Sequence, residues 1–481
     1  MAKYNHGVGT NELATKTKEP QITLSGIPVV VGTAPINLAK NPKVNVPVYA
    51  EKLEDATDAF GYSEDFAQFT LCQSMFMHFV KFQVAPVILI NVLDPKKHKK
   101  ELAEMDCQVK DGQATIEVQG VILQDLLVKN GETELVADTD YIATFDDDNN
   151  VLITLVNAAG VTEVKVSGNV IDPSKVTSQD IIGAYNEDTG EETGLELVKR
   201  VFPKYQVFSG SLLAPGYSKD KNVAAMLQSK AKDINGMFNC MALVDIEADT
   251  TTKYTDVPAA KSNIGVSGEN TILLWPMLKY GESIVSYSAS MAAVMQKLDS
   301  TNGGVPAQSP SNQTLGCDGI CTATGEEILL DEPEANTLNA IGVVTSTNFD
   351  GWRAWGNNTA CYPENKDPKD RWINCKRYFY WRENNFIVNV HKQVDGIPTP
   401  GQIKGIVDNE NIKGNSYANE GFCAGDKIEF NIKENPTADI LNGHFKFHFA
   451  LAPYSPAEYV YSDFEYDAAA IENAYQTAFG Q

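Results

Sequence analysis

Between "ITLSGIPVVVGTAPI" and "APVILINVL" the hydrophobic pattern changes twice. A Val-rich run at 27 to 31, with turn residues Gly32 and Pro35 behind it, has the length and composition of a strand. Next, "FGYSEDFAQFTLCQSMFMHFVKF" (60–82) sets Phe69, Cys72, Phe76 and Phe79 at helical spacing, with Ser63 as an N-cap. "APVILINVL" is then a continuous apolar run of strand length. Strand, helix and buried strand predict a sheet covered by helices.

Near residue 96 the texture changes. "DPKKHKKELAEMD" reads as a charged linker, and after it come short alternating segments separated by turn residues at Asn130-Gly131 and at Asp146 to Asn150. These predict a small all-β unit over 99–183, inserted into an α/β domain as surface loops tolerate. The α/β texture resumes with "TGLELVKRVFPKYQVFSGSLLAPG", the helix-like "DKNVAAMLQSKAKDINGM", the strands "FNCMALVDI" and "NTILLWPM", and the helix-like "SYSASMAAVMQKLDS". Repeated strand-helix-strand units favour a mostly parallel sheet. From about 346 the chain is aromatic and then strand-rich, ending in "GHFKFHFALAPYSPAEYVYSDFEY" and a short tail, which predicts a separate α+β domain.

Both ends read as extended arms. Residues 1 to 24 are polar and interrupted by Gly7, Gly9 and Pro20, and "DAAAIENAYQTAFGQ" has little to pack against in its own subunit. The expected organisation is therefore an arm at 1–24, a discontinuous α/β domain at 25–98 and 184–345, the β unit at 99–183, an α+β domain at 346–465 and a C-terminal arm at 466–481.

Composition narrows the function. At 481 residues the chain exceeds what one core usually supports. A formal charge of −24 repels nucleic-acid phosphates and anionic lipid heads. No run approaches the ~20 apolar residues that cross a bilayer, and "MAKYNHGVGTNELATK" has no apolar signal core, so folding in the cytosol is expected. Eight cysteines without paired CxxC motifs read as reduced thiols, Cys317 and Cys321 included.

Candidate chemistry is thin. "GVSGE" approaches the GxSxG nucleophile elbow around Ser267 but has Glu269 where glycine is required. His444 and His448 would align as metal ligands on a helix, yet the alternation "FKFHF" predicts a strand, which sets them roughly 13 Å apart. No GxxxxGK[ST] loop occurs, and "GVGTNE" lacks a third glycine and follows no strand. No catalytic residue, metal ligand or cofactor site is therefore expected. "GWRAWGNNT" (351–359) admits two readings. Trp352 and Trp355 could stack on a sugar held by Asn357 and Asn358, or pack in an interdomain seam with Gly351 and Gly356 permitting tight turns; packing is favoured.

The order of several segments resembles the tail sheath protein of contractile-tailed bacteriophages and phage-tail-like particles. It begins at "HGVGTNEL", continues through "TLCQSMFMHFVKFQVAPVILINVL" and "LLAPGYSKDKNVAAMLQSKAKDINGMFNCMALVDI", and is densest in "SYSASMAAVMQKLDSTNGGVPAQSPSNQTLGCDGI", "EANTLNAIGVVTSTNFDGWRAWGNNT" and the closing "GHFKFHFALAPYSPAEYVYSDFEY". It covers most of the chain except the inserted β unit, and it departs at Asn358, where many relatives carry arginine after WGN.

The resemblance implies a non-enzymatic subunit without cofactors. Its partners would be further copies of itself in a helical polymer of stacked rings, a tail tube protein, and baseplate and tail terminator proteins, with no nucleic acid or membrane insertion. It implies an α/β sheath domain and a C-terminal lattice domain whose arms add strands to neighbouring subunits. Val8, Leu13, Val460 and Phe464 are the expected inter-subunit anchors, and Trp352 and Trp355 the interdomain packing. It would work in a virion or tail-like bacteriocin, assembled in a bacterial cytoplasm. A carbohydrate- or receptor-binding structural protein of a phage particle is the alternative, and a hydrolase on a doubly wound sheet a third class.

Overall fold

The computed structural model describes residues 25–480 together with the backbone of residues 21–22. Its centre is an eight-stranded sheet of β1 (Pro28–Gly32), β2 (Val48–Ala50), β3 (Val87–Asn91), β4 (Ser211–Leu213), β5 (Met241–Asp245), β6 (Thr271–Leu274), β7 (Val343–Asn348) and β8 (Trp352–Trp355). Across the sheet the order is β8-β7-β6-β5-β4-β1-β3-β2. The six inner strands are parallel, and only β2 and β8, at the edges, run antiparallel to their neighbours. β1, "PVVVG", and β3, "VILIN", are buried at every position, as strands covered on both faces must be. Helices cover the sheet in two groups, Thr70–Met75 with Phe76–Phe82 and α1 (Tyr287–Thr301) in one, Ser178–Ile182 with Lys221–Lys230 and Val257–Ile264 in the other.

α1, "YSASMAAVMQKLDST", is buried on nearly all sides, which its small residues permit because neighbours can approach its backbone closely. The helix expected over 60–82 is shorter. Gly61, with φ +73°, ends a helix at Leu53–Phe60, and the next begins at Thr70 and widens to a π-helix at Phe76–Phe82. Ser63 caps a turn instead, its hydroxyl accepting from the Asp65 N–H.

The stretch read as a charged linker is in fact a ten-residue strand, Lys99–Gln108, paired antiparallel with Glu163–Ile171. Its charges form the solvent face while Leu102 and Cys107 point inward. Together with the hairpins that turn at Asn130-Gly131 and Asp146 to Asn150, these strands build a four-stranded and a three-stranded sheet around a core of their own. The strands end at Ile171, earlier than the expected 183, and Val176 and Ile181 already pack into the α/β core.

The expected boundary at 345/346 falls inside β7, because β7 and β8 complete the central sheet. Beyond them the chain is more helical than its aromatic pattern suggests: α2 (Ile373–His391), α3 (Pro400–Asn419), and one hairpin of β9 (Cys423–Glu429) with β10 (His448–Pro453). The strand expected over "AEYVYSDFEY" is absent, and the tail read as an extended arm is α4 (Ala468–Phe479), exposed at every position. At the other end Gln21–Ile22 pairs in parallel with Val84–Ala85, so the chain joins its own body before residue 24. Val8 and Leu13 lie outside the described residues.

One buried ion pair fastens α2 to the body. Asp299, fully buried in the last turn of α1, receives the Arg377 guanidinium through both oxygens, at 2.5 and 3.1 Å. Farther along α2, Arg382 donates to Asp426 at 2.8 Å and Glu410 at 2.5 Å, fastening β9 and α3 to the same helix. Lys261 makes a third tie, donating to the carbonyls of Ile341, Ala360 and Tyr362.

Removing one partner of a buried pair strands a charge at a cost of about 3–5 kcal/mol. Arg377→Met should therefore lower the unfolding free energy by that amount in denaturant melts, with the Asp299→Asn, Arg377→Met double variant less impaired than the sum of the singles. Lys261→Met, which leaves three carbonyls short of a donor near partial solvent, should cost about 1–3 kcal/mol in the same melts.

Candidate assembly surface

A doubly wound parallel sheet ordinarily receives a ligand beyond the carboxyl ends of its strands, where the strand order reverses. That point lies between β1 and β4, and it is filled by protein. The Thr70 side chain stands 2.6 Å from where a Cβ on Gly32 would lie and 2.8 Å from that of Gly216. Thr33 locks it there, with the Thr33 N–H donating to Thr70 Oγ1 at 3.3 Å and the Thr70 N–H to Thr33 Oγ1 at 3.1 Å. At the end of β5, Asp245 accepts from the Ser288 N–H at 2.7 Å and from the hydroxyls of Ser288 and Ser218 at 2.5 and 2.9 Å. A carboxylate of the chain thus occupies the start of α1, where a bound phosphate would otherwise sit. Burial raises that carboxyl above its usual range, and the hydroxyl donors pull it partly back.

The weighed motifs fare no better. Ser267 follows the helix Val257–Ile264 and precedes β6, the reverse of the strand-nucleophile-helix order that makes an elbow. Glu269, the misfit in that motif, pairs with Lys232 at 2.7 Å. All eight cysteines are free and buried, and burial pushes the thiols of Cys317 and Cys321 up to about 12 and 11, where they stay protonated and weakly nucleophilic. His448 opens β10, whereas His444 lies in the loop before it. Among the described residues, no group of three or more His, Cys, Asp or Glu side chains is placed to hold a metal ion, and no helix is long and apolar enough to cross a membrane.

The two tryptophans of "GWRAWGNNT" belong to the edge strand β8, three residues apart and so on opposite faces. Trp352 is buried in the main core and its indole N–H donates to the Asp318 carbonyl at 3.1 Å. Trp355 is half-buried, with its N–H 3.4 Å from Asn336 Oδ1. A two-plate sugar platform is thereby unavailable. Asn358, the departure from the family pattern, is buried; its amide donates to the Asn339 carbonyl at 3.3 Å and its oxygen accepts from Arg371 Nε at 2.9 Å.

The unsatisfied surface lies at the C-terminal end. In the β9–β10 hairpin Ile428 pairs with Phe449, yet the Ile428 N–H and C=O bond the Asn411 side-chain amide at 3.0 and 2.9 Å. Asn411 thus imitates a third strand and closes the outer edge of β9. Antiparallel alternation then turns the backbone groups of Phe449, and of Leu451 two residues on, away from the hairpin on the β10 side. Among the described residues nothing pairs with that edge. Beside it runs a groove of about 590 Å³ lined by Phe386, Ile387, Phe445, Phe447, Phe449 and Leu451.

After β10 the chain exposes a dense apolar run. Tyr459, Val460, Tyr461, Phe464 and Tyr466 are all exposed, Phe464 at 97% and Val460 at 79%. Isolated exposed hydrophobics are ordinary, but five within eight residues mark an interaction segment. The sequence pointed to Val460 and Phe464 but missed the groove, whose phenylalanines read as strand alternation.

No protein-family model matches the chain. Among curated proteins it is 28% identical over 480 residues to the tail sheath protein of Burkholderia phage BcepMu, covering 95% of each chain. Among solved structures it aligns over 97% of its length with a chain of the anti-feeding prophage baseplate, with a TM-score of 0.57 at 15% identity. It also aligns over 98% of its length with the contracted-state sheath complex of the extracellular contractile injection system PVC, with a TM-score of 0.57 at 14% identity. The chain is therefore a homologue of phage tail sheath proteins and carries the fold of a contractile injection system sheath.

Proposed function

We propose that this protein is the structural subunit of a contractile tail sheath, polymerising helically around a tail tube and contracting to drive the tube through a bacterial cell envelope. The observation that carries the reading is the end-to-end similarity to a protein named as a tail sheath, over 95% of both chains. The filled crevice of the central sheet and the open edge of β10 support it, since the chain has surfaces suited to neighbours rather than a seat for a substrate. It acts without a cofactor or an enzymatic step, beside tube, baseplate and terminator proteins, in a phage or tail-like particle assembled in the bacterial cytoplasm.

Linkage runs through the ends of the chain. The C-terminal segment, anchored by Val460 and Phe464, adds to the open β10 edge of a neighbour, and the segment before residue 24, with Val8 and Leu13, makes a second link. Main-chain hydrogen bonds contribute about 0.5–1.5 kcal/mol each, while ordering costs about 1–2 kcal/mol per residue. These nearly cancel, so burial of the anchors, at about 1.5–3 kcal/mol each, decides the balance. Contraction is a change between two packings of largely rigid subunits, driven by better contacts in the contracted lattice rather than by nucleotide hydrolysis.

Deleting residues 459–481 should leave a subunit with wild-type melting that forms no linked tubes in negative-stain microscopy. Normal tubes from the shortened chain would refute the C-terminal link. The inserted β unit should be dispensable to the lattice. Lys99 and Ile171 are paired across its base, so residues 100–170 can be replaced by a Gly-Ser turn. That variant should assemble as the full chain does, and a folded but non-assembling product would make the insert a lattice element.

A further inference from the structure

The C-terminal segment leaves the subunit across a cleft of about 510 Å³. One wall is Trp355 with the helix residues Asn336 and Asn339, and the other is the segment itself, from Pro456 to Tyr459. Between β10 and the exposed aromatic run the segment has two fastenings. The first is at its root, where Asn374 Nδ2 donates to the Tyr454 carbonyl at 2.9 Å. The second is Glu458, whose two carboxylate oxygens lie 3.2 and 3.3 Å from Arg371 Nη2. Glu458 immediately precedes the aromatic run, so whatever holds it aims that run.

Arg371 is held more firmly than a surface arginine. Its guanidinium lies over the Trp372 ring at 3.7 Å from the centroid and over the Tyr362 ring at 4.4 Å. Its Nε donates to the buried Asn358, which in turn donates to the Asn339 carbonyl at the end of the helix Glu332–Asn339. The Arg371 carbonyl accepts from the Thr359 N–H at 2.8 Å, fixing its backbone to the same loop. Of the whole assembly only the final contact is wet: the Arg371 side chain is 16% exposed and that of Glu458 47%.

We propose that Arg371, positioned by Asn358 and the two aromatic rings, is a clip on Glu458 that sets the direction in which the C-terminal segment departs toward a neighbouring subunit. This rests on the C-terminal link proposed above and adds the residue that orients it. An exposed ion pair by itself contributes little to stability. Its worth here is geometric, because holding Glu458 narrows the volume that the anchors search and raises their effective concentration at the neighbour's groove. The ion pair is open to solvent and screened by salt, whereas the stacked guanidinium beneath it is largely sheltered, so added salt loosens the segment with little effect on the socket.

All eight native cysteines are buried, so cysteines introduced at Ser462 and Thr337 can be spin-labelled selectively. Electron-spin distance measurements on the dilute full-length subunit should give a narrow distribution in low salt. Glu458→Gln should broaden it at least twofold, as should molar salt, and Arg371→Lys should broaden it partially by losing the planar stacking and the Nε bond to Asn358. Asn358→Ala, which frees Nε, should broaden the distribution while Glu458 is intact. Assembly of the unlabelled Glu458→Gln subunit should slow several-fold by light scattering, with tubes of ordinary appearance at the end. A distribution as narrow in Glu458→Gln as in the parent overturns the clip. A subunit lacking 459–481 that assembles normally overturns the C-terminal link instead, whatever the spin labels report, so the two failures are separable.

Discussion

Asp299 occupies a poor place for a carboxylate, at the carboxyl end of a helix and wholly removed from water. The Arg377 guanidinium makes that place tenable, and through it the C-terminal unit is bound to the α/β body. Arg377 and Arg382 are five residues apart on α2, hence about 140° apart around the helix axis. One therefore faces the body and the other faces Glu410 and Asp426. A single helix with two oppositely directed cations holds the sheet on one side and the β9–β10 hairpin on the other. The open edge of β10 is thus presented at a fixed attitude to the body, which a lattice contact requires.

The proposed function falls to the periphery of this molecule because the ligand crevice of its central sheet is occupied by the chain itself. The place where a parallel sheet would take a ligand is closed by Thr70 and by Asp245, and the helix N-terminus there is already satisfied. Among the described residues the C-terminal unit offers a strand edge, an aromatic-lined groove, and a run of exposed tyrosines and a phenylalanine. These fit one another in kind, an extended apolar segment and an edge with an apolar groove beside it. In the proposed lattice the donor and the acceptor belong to different copies.

Elements that state their environment locally were legible in the sequence. β1 and β3 are apolar throughout because both faces are covered, and α1 is rich in small residues because it is buried on all sides. The inserted unit was visible from its turns, though its first strand was not, since the solvent face of a long edge-to-edge strand carries so many charges that it looks like a linker. Trp352 and Trp355 could be placed in packing, but their membership of the central sheet depends on β7, more than fifty residues after β6 in sequence. The C-terminal unit was misread as strand-rich because only His448 and Phe449 of "FKFHF" join the ladder, while Phe445 and Phe447 precede it and line the groove. Arg371 carried no signal at all, because its importance arises from stacking on Trp372 and Tyr362 and from Asn358, none of which spacing reveals.

The asymmetry of the hairpin bears on the form of the proposed polymer. Were both of its edges open, two copies could pair symmetrically and the contact would close on itself as a dimer. Asn411 closes the β9 edge with a side-chain imitation of a strand, leaving β10 as the one open edge of the hairpin among the described residues. In the proposed lattice, a C-terminal segment leaving one copy for the single open hairpin edge of another would be a head-to-tail contact, and such contacts propagate unless the rotation between copies closes a ring. On that reading the Asn411 amide, already bonded to Ile428 within the lone subunit, would favour growth of a directional lattice over self-complementary pairing.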